Sequence, residues 1–393
     1  MSGAQEPRGT SSAGAWSARG GHTDGRRWPV RALALLAVLA LAGTLVHLLG
    51  SSWSGLALAE PDEPDEQEAT TDTQPPALPP PADVDLGSFD RPLPTAPLTG
   101  VELDADEAAA LAERPAAIVK IPNNELAHPH TGLERADVVY EQETEGGTTR
   151  FAGVFHSEHP EVVGNIRSAR PVDIDLVAPF DGVFVYAGAR AKVLDMIEAA
   201  GLTSVGAGGP GYFTQAHRTA PHHLYSRLPE AVSEREAPPP PPLPWRFDET
   251  PPDGGHPLDG PLRVLMSPIA ATSWDYDATE RVFRRLQNDR PHEVTGSDRI
   301  GAANVVILDV PVTGRDSAGA PVYDLVGTGD ALLLRDGRAY EVSWAKAAPD
   351  AHLRLVDARH EARARPGPTW VLLTYDGTVA GLLEEVVAGG DAG

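Results

Sequence analysis

The residues best suited to chemistry form an acidic cluster in front of a glycine pair. Three glutamates, Glu141, Glu143 and Glu145, alternate along the stretch YEQETEGG. Alternate residues of a strand share a face, so the three carboxylates are predicted to lie along one side. Such a face would bind a cation or a polyol, or hold a proton for acid–base catalysis, with Glu143 and Glu145 as candidate catalytic groups. An exposed strand face that ends in a Gly-Gly turn explains the pattern equally well.

A second cluster is basic. Arg167 and Arg170 flank Ser168 in the segment NIRSAR, and Arg150 follows the glycine pair. Arginines three residues apart can converge on one anionic group as paired hydrogen-bond donors. They can also pair with the glutamates, and in so acidic a chain internal ion pairing is favoured. Both arrangements are compatible if the ion pairs frame the edge of a pocket.

A third candidate is the segment RTAPHH at residues 218–223. Adjacent histidines on an extended chain point to opposite sides, so no metal site is predicted here, and no cofactor is predicted elsewhere. His222 is expected to face the charged cluster as a hydrogen-bond partner or acid–base group, or to be a structural histidine. Ser168 does not lie in a G-x-S-x-G turn, so a serine nucleophile is not indicated. The predicted ligand contacts are Glu141, Glu143, Glu145, Arg150, Arg167, Ser168, Arg170, Arg218 and His222.

Short strands and helices must position these side chains. Four runs rich in β-branched and aromatic residues predict strands at 116–121, 138–142, 150–156 and 182–186. A capped helix is predicted to start after Asp104, and a second helix at 189–200 to end at Gly201. Strands and helices mix without a regular βαβ rhythm. Residues 99–236 are therefore predicted to form a mixed α/β module in an α+β fold.

The second half of the chain has a different pattern. Residues 237–261 contain a polyproline run and are predicted to be a semi-rigid linker. From 262 to 390 short strand patterns alternate with tight turns, such as the Asp336-Gly337 pair between apolar flanks. This part is predicted to be a mostly β module.

The N-terminal region predicts a membrane anchor. Residues 30–49 are apolar except near their ends, and about 20 residues span the roughly 30 Å hydrocarbon core. Arginines at or before their start predict a cytoplasmic tail at 1–29 and a single-pass anchor, with the bulk of the chain extracytoplasmic. Residues 50–98 are acidic and Pro-rich, which predicts a disordered stalk. Within them, Ala57-Leu58-Ala59 resembles a signal-peptidase site, and cleavage after Ala59 would release a secreted chain.

Composition excludes several functions. The chain has 56 acidic and 32 basic residues and a formal charge of −24. Nucleic-acid backbones and anionic lipid headgroups repel such a chain, so nucleic acid is not expected as a partner. No cysteine is present, which removes disulfides, thiolate metal sites and lipid attachment at a cysteine.

The order of motifs between about 110 and 230 resembles the N-terminal domain of the DUF3048 family, which includes the YerB-type bacterial lipoproteins. The C-terminal half resembles the second domain of that family more loosely, for example at 274–277, 283–285 and 335–337. The resemblance implies an envelope protein without a settled activity. Because its lipidated relatives use a cysteine, a protein anchor is expected to replace the lipid here. The N-terminal motifs are ADVVYE at 136–141, EGGTTRF at 145–151, GNIRSARP at 164–171 and PHHL at 221–224.

These features place the expected function at the cell envelope. The preferred hypothesis is a non-catalytic, membrane-anchored protein that binds a polar ligand, such as a cell-wall glycan or peptide, or acts as a scaffold. One alternative is a wall hydrolase with Glu143 or Glu145 as the acid/base group and His222 assisting. The other is a platform for partner membrane proteins.

Overall fold

The computed structural model describes residues 94–233, 235–296, 299–357 and 361–390. The predicted cytoplasmic tail, membrane segment and stalk as far as residue 93 lie outside this part of the chain. Across the described ranges no helix is both long and apolar enough to cross a membrane. Residues 94–98, predicted as the end of the stalk, are ordered instead, because Ala96 and Leu98 are buried in the fold.

The first half of the described chain alternates strands with short helices, as the sequence predicts. The helix after Asp104 starts with a capping box, in which the Asp104 and Glu107 side chains satisfy the first free backbone N–H groups. The helices are α1 (Ala105–Ala112), α2 (Asp173–Val177), α3 (Ala191–Ala199) and α4 (Leu228–Ser233). The strands are β1 (Ala117–Asn123), β2 (Val138–Glu143), β3 (Thr149–Phe155), β4 (Val163–Gly164), β5 (Val183–Tyr186), β6 (Ser204–Gly206), β7 (Tyr212–Thr214) and β8 (Leu224–Ser226).

The second half is mostly β, which confirms the prediction for residues 262–390. One helix, α5 (Thr378–Gly390), closes it. The strands are β9 (Arg246–Phe247), β10 (His256–Pro257), β11 (Leu262–Ser267), β12 (Ala270–Asp277), β13 (Val282–Gln287), β14 (Arg290–Pro291), β15 (Gly301–Ala302), β16 (Asn304–Asp309), β17 (Val312–Arg315), β18 (Pro321–Tyr323), β19 (Gly327–Arg335), β20 (Arg338–Lys346), β21 (Arg354–Val356), β22 (Arg363–Ala364) and β23 (Thr369–Thr374).

One central sheet joins the two halves. Its strand order is β10-β20-β19-β16-β23-β2-β3-β1-β5-β6, and β21 pairs with β20 at one end. The junction is the parallel pairing of β2 with β23, in which Val138 lies opposite Thr369 and Tyr140 opposite Val371. The mixed α/β part and the mostly β part therefore share one sheet.

The predicted linker at 237–261 is packed into this fold. Its strand β10 extends the central sheet at β20, and β9 pairs with β22. Leu243 and Trp245 are buried, and the Trp245 indole N–H donates to the Leu353 carbonyl at 2.7 Å. The segment thus does not act as a spacer between two bodies. Leu243 and Trp245 lie between the proline run and β9, and burial of their apolar surface stabilises the packed position of the segment.

Both faces of the central sheet are covered. On one face Val139, Phe151 and Trp370 pack against Trp274 and Phe283 of a second sheet, which has the order β11-β12-β13-β14 with β15 paired to β13. The other face is covered by α2, α3 and the buried residues around Trp245. The arrangement has three layers, with the central sheet in the middle.

Several loops meet at one edge of the central sheet. β1, β2, β5, β16 and β23 run in the same direction, because β1 and β2 are both antiparallel to β3 and the others pair in parallel. Their carboxyl ends meet at one edge, from which β3 starts. In open sheets with parallel strands, ligands bind at this edge. Glu145, Ala187 and Tyr375 lie just beyond the ends of β2, β5 and β23.

Candidate functional site

Each of the three clustered glutamates has its own arginine partner. Glu141 pairs with Arg285, Glu143 with Arg315, and Glu145 with Arg150 and Arg170. β2 ends at Glu143, and Glu145 starts a short 3₁₀ turn, so the alternation of the strand does not continue to it. The structure therefore corrects the prediction of a single carboxylate face. The turn is possible because the glycine pair after Glu145 adopts left-handed φ angles of 72° and 73°.

Glu141 and Arg285 form a fully buried ion pair between the two sheets. One guanidinium nitrogen of Arg285 donates to both carboxylate oxygens of Glu141, at 2.9 and 2.8 Å. Thr149 donates a further hydrogen bond to this carboxylate at 2.8 Å, and Asn123 another at 3.1 Å. The guanidinium carbon lies 5.0 Å from the ring centre of Trp370. Burial lowers the pKa of Arg285, and the adjacent Glu141 charge counteracts this effect.

A chain of buried histidines continues from this ion pair. The Arg285 guanidinium donates to Nδ1 of His292 at 2.8 Å, so the ring proton of His292 lies on Nε2. That proton is directed at Nδ1 of His130, 2.8 Å away, and His130 donates its own Nε2 proton to the Pro122 carbonyl at 2.7 Å. Both imidazoles are neutral, because burial lowers the pKa of each well below its usual value.

These histidines resemble a metal-binding trio only in their proximity. One ring nitrogen from each of His128, His130 and His292 lies within 4.8 Å of the other two. A metal ligand needs a lone pair free of protons and donors. His292 offers none, because Arg285 donates to one ring nitrogen and the other carries the proton shared with His130. The donor set therefore does not fit a metal ion, and its hydrogen bonds indicate a structural role.

The charged cluster at the carboxyl edge centres on Glu145. Arg170 donates through Nε to one carboxylate oxygen at 2.7 Å and through a second nitrogen to the other. Arg150 donates to the same carboxylate at 2.9 Å and to the Ser168 carbonyl at 2.6 Å. Burial raises the pKa of Glu145, but Arg170 and Arg150 outweigh it and hold this pKa at about 2. The predicted internal pairing of the arginines with a glutamate is confirmed for Arg150 and Arg170.

A buried ion pair supports this cluster from below. Lys120 lies 2.5 Å from Asp173, and both side chains are fully buried. Asp173 also accepts hydrogen bonds from the Gln142 side chain at 3.1 Å and the Arg170 backbone at 2.6 Å. Burial lowers the pKa of Lys120 to about 8 against the attraction of Asp173. The cluster thus contains three cationic side chains (Lys120, Arg150 and Arg170) and two carboxylates (Glu145 and Asp173).

Arg167 and His222 lie beside this cluster, whereas Arg218 has a different role. Nε of Arg167 and Nδ1 of His222 are buried and have no hydrogen-bond partner in the described part of the chain. Burial lowers the pKa of His222, and the charges of Arg167 and Arg218 lower it further. The Arg218 side chain donates to the carbonyls of Leu126, His128 and Pro129, at 2.8–3.1 Å. These bonds hold the loop at 126–129 in place, and the role of Arg218 as a ligand contact stays a prediction.

A cavity of about 230 Å³ is lined by residues that include His256, Tyr340 and Glu341, and by none of the predicted site residues. The candidate site is instead an open, charged edge. Gly146 and Gly188 face open space there, since an added Cβ at either position would meet no atom within 4 Å. Such an edge suits a ligand that lies along the surface.

The Glu143 carboxylate is bound by two side chains from the C-terminal half, Arg315 at the end of β17 and Tyr375 directly after β23. The carboxylate accepts a hydrogen bond from Arg315 at 2.9 Å and a second one from the Tyr375 hydroxyl, and it is 2% exposed. Replacing Tyr375 with phenylalanine is expected to lower the free energy of unfolding by about 1.5–3 kcal/mol, because a hydrogen bond to a buried charge is lost. Urea denaturation measures the change.

Tyr186 provides the matched control for this prediction. It is also mostly buried, but its hydroxyl has no hydrogen-bond partner among the described residues. The Tyr186→Phe variant should therefore unfold at nearly the wild-type urea concentration. Equal losses in the two variants would show that the Tyr375 hydroxyl contributes nothing specific through Glu143.

Sequence reasoning missed the partners that come from the C-terminal half. Arg285, His292, Arg315 and Tyr375 lie more than 100 positions from the N-terminal residues that they contact. One local signal was available in VFRRLQ, the sequence of β13. Phe283 and Arg285 alternate there on the buried face, so an arginine occupied an inward position that requires a counter-charge. His128 and His130 are two positions apart in the sequence, but no local pattern indicated that His292 lies next to them in the fold.

Comparisons with known proteins agree with this architecture. The family described as "Protein of unknown function (DUF3048)" matches twice, its N-terminal domain at 98–237 and its C-terminal domain at 262–371. YerB of Bacillus subtilis (strain 168), named as a lipoprotein, is 27% identical over 301 residues, which cover 72% of this chain and 86% of YerB. The crystal structure of Bacillus subtilis YerB is similar with a TM-score of 0.61 and 24% identity, over 72% of this chain and 97% of that one. At this identity the likeness shows the fold.

Proposed function

The chain belongs to the DUF3048 family, and from this premise we propose that it is an extracytoplasmic envelope protein that binds a polar ligand without converting it. The relative from Bacillus subtilis is named as a lipoprotein, which supports attachment to the membrane. Because this chain has no cysteine, the attachment is assigned to residues 30–49, outside the described residues. A glycan or peptide of the cell wall is the proposed ligand.

One observation carries this proposal. A chain with a formal charge of −24 gathers Arg150, Arg167 and Arg170 around a single carboxylate, Glu145, at the carboxyl edge of its central sheet, beside the buried Lys120–Asp173 pair. Desolvated cations need partners, and a surplus of them at an open edge favours a ligand with an anionic group. Wall glycans and peptides carry such groups on an otherwise polar chain.

The charges in the cluster favour binding over hydrolysis. A carboxyl group that acts as a general acid must keep its proton near the working pH. The pKa of Glu145 is about 2, because Arg170 and Arg150 outweigh its burial, so this carboxylate is ionised at neutral pH. Glu143 is bound by Arg315 and Tyr375. Both predicted acid–base candidates are thus engaged as hydrogen-bond acceptors.

The Arg170→Gln variant tests the proposal. The full chain is titrated with soluble wall fragments released by a muramidase, and binding is measured by calorimetry. Losing a charged donor that orders this edge should weaken binding by roughly ten- to a hundredfold, since charged hydrogen bonds contribute about 1.5–3 kcal/mol. Thermal denaturation of the variant shows whether it remains folded.

Arg135→Gln is the matched control. It removes the same charge from an ion pair with Glu158 in which both side chains are more than half exposed. The control should bind like the wild type. If the wild-type chain binds no fragment, the proposed function is wrong, and if fragments are shortened on incubation, the hydrolase alternative replaces it.

A further inference from the structure

The backbone holds Arg167 beside His222 at the point where two parallel strands separate. β4 pairs with β8 so that Gly164 lies opposite Tyr225, and the Ile166 N–H donates to the Leu224 carbonyl at 2.8 Å. Continuing this antiparallel register brings Arg167 next to the histidine pair that precedes Leu224. The Arg167 N–H donates to the Lys120 carbonyl of β1 at 2.8 Å, and its carbonyl accepts from Ala187, just after β5, at 2.9 Å. Its position is therefore fixed.

Buried polar atoms without partners gather at this point. Nε of Arg167, Nδ1 of His222 and Oδ1 of Asn165 have no hydrogen-bond partner among the described residues. His222 is 4% exposed and Asn165 is fully buried. The large majority of buried side-chain polar atoms in folded proteins are hydrogen-bonded, so these unpaired atoms, together with Nδ1 of the adjacent His223, indicate a missing partner.

Arg167 forms no salt bridge of its own within the described cluster, although the Glu145 charge attracts it. Glu145, the nearest candidate, has both oxygens engaged by Arg170 and one also by Arg150. Asp173 pairs with Lys120. Burial lowers the pKa of Arg167, the neighbouring Arg170 lowers it further, and the Glu145 charge counteracts them only in part. A bound anion would pair with the Arg167 charge, as Glu145 and Asp173 pair with the other cations of the cluster.

We propose that Arg167 and His222 form a subsite for the carboxylate of the ligand. This inference rests on the proposed function and adds the chemical group by which the ligand is held. Arg167 would bind the carboxylate through the guanidinium edge that contains Nε, as Arg170 binds Glu145 three residues further on. A neutral His222 would donate from Nδ1. One unpaired arginine and one neutral donor match a singly charged carboxylate better than a phosphate with up to two charges.

The first experiment uses wall fragments with free or amidated carboxylates, titrated into the full chain. Free carboxylates should bind at least tenfold more tightly than amidated ones. Arg167→Gln and His222→Gln should each weaken binding of the free form at least tenfold and should not change binding of the amidated form. Arg135→Gln should bind like the wild type, and Arg167→Lys, which keeps the charge but loses the planar donor pair, should still lose affinity.

The second experiment does not depend on wall fragments. Acetate or inorganic phosphate is added to the full chain at equal ionic strength, and the thermal unfolding midpoint is measured against chloride. Acetate should raise the midpoint of the wild type and should not raise that of Arg167→Gln. If wall fragments bind but both variants bind normally, the subsite is wrong and the proposed function stands. If no fragment binds, the acetate result alone decides the subsite, and a larger effect of phosphate overturns the assignment to a carboxylate.

Discussion

Replacing Arg285 with methionine is expected to lower the free energy of unfolding by about 3–5 kcal/mol, the typical loss when one member of a buried ion pair is removed. Glu141 would remain fully buried with its negative charge uncompensated. His292 would lose the donor that fixes its ring proton, and Trp370 would lose a stacked cation. Because the pair joins β2 to β13, the loss affects the contact between the two sheets. Urea denaturation of the full chain measures the effect.

A matched variant and a double mutant give this prediction its control. Arg263→Met makes the same replacement on β11, where the arginine side chain is 49% exposed, and should change stability by less than about 0.5 kcal/mol. The double variant Glu141→Leu/Arg285→Met removes both charges and should lose less than the two single variants together. A loss below about 1 kcal/mol for Arg285→Met would contradict the role given to the pair.

Local patterns were sufficient for many elements of the fold. The strands β1, β2, β3 and β5 and the helix α3 follow directly from apolar runs, turn residues and a terminal glycine. The order of the strands in the sheet could not be predicted from local patterns, because β2 pairs with β23 across more than 200 residues of chain. The proline-rich segment was misjudged for a related reason. Its composition predicts a spacer, and only the core of the folded chain shows that Trp245 is buried.

The candidate site was partly predictable for the same reasons. Glu145, Arg150 and Arg170 are close in sequence, and charge compensation in an acidic chain was enough to predict their pairing. Glu141 has the same residue type and a regular spacing from Glu145, yet its partner comes from β13, 144 residues away. Spacing alone therefore grouped three carboxylates that the fold separates. Residue type predicts that a buried charge needs a partner, but not which partner it has.

Acidification from pH 7.5 to 5.5 is expected to destabilise the protein strongly through five histidines. Burial lowers the pKa of His128, His159 and His352 to about 4, and those of His130 and His292 well below the usual value. The unfolded chain takes up protons below pH 6.5, whereas the folded chain does not. Stability is therefore fully present above pH 6.5 and is lost as the pH falls. At pH 5.5 the loss is about 1.4 kcal/mol for each such histidine, on the order of 7 kcal/mol for five.

Carboxyl groups contribute to the pH dependence in both directions. The pKa of Glu145 is depressed to about 2, so its stabilising contribution is lost only below the usual value of 4.5. Burial raises the pKa of Asp137, which acts in the opposite direction as the pH falls.

Urea denaturation at intervals between pH 7.5 and 5.5 gives the slope of the free energy of unfolding against pH. A His159→Gln variant should lose about 1.4 kcal/mol less than the wild type over this interval, since one proton-binding group is removed from the unfolded chain. An equal pH dependence in the wild type and in His159→Gln would contradict the lowered pKa of His159.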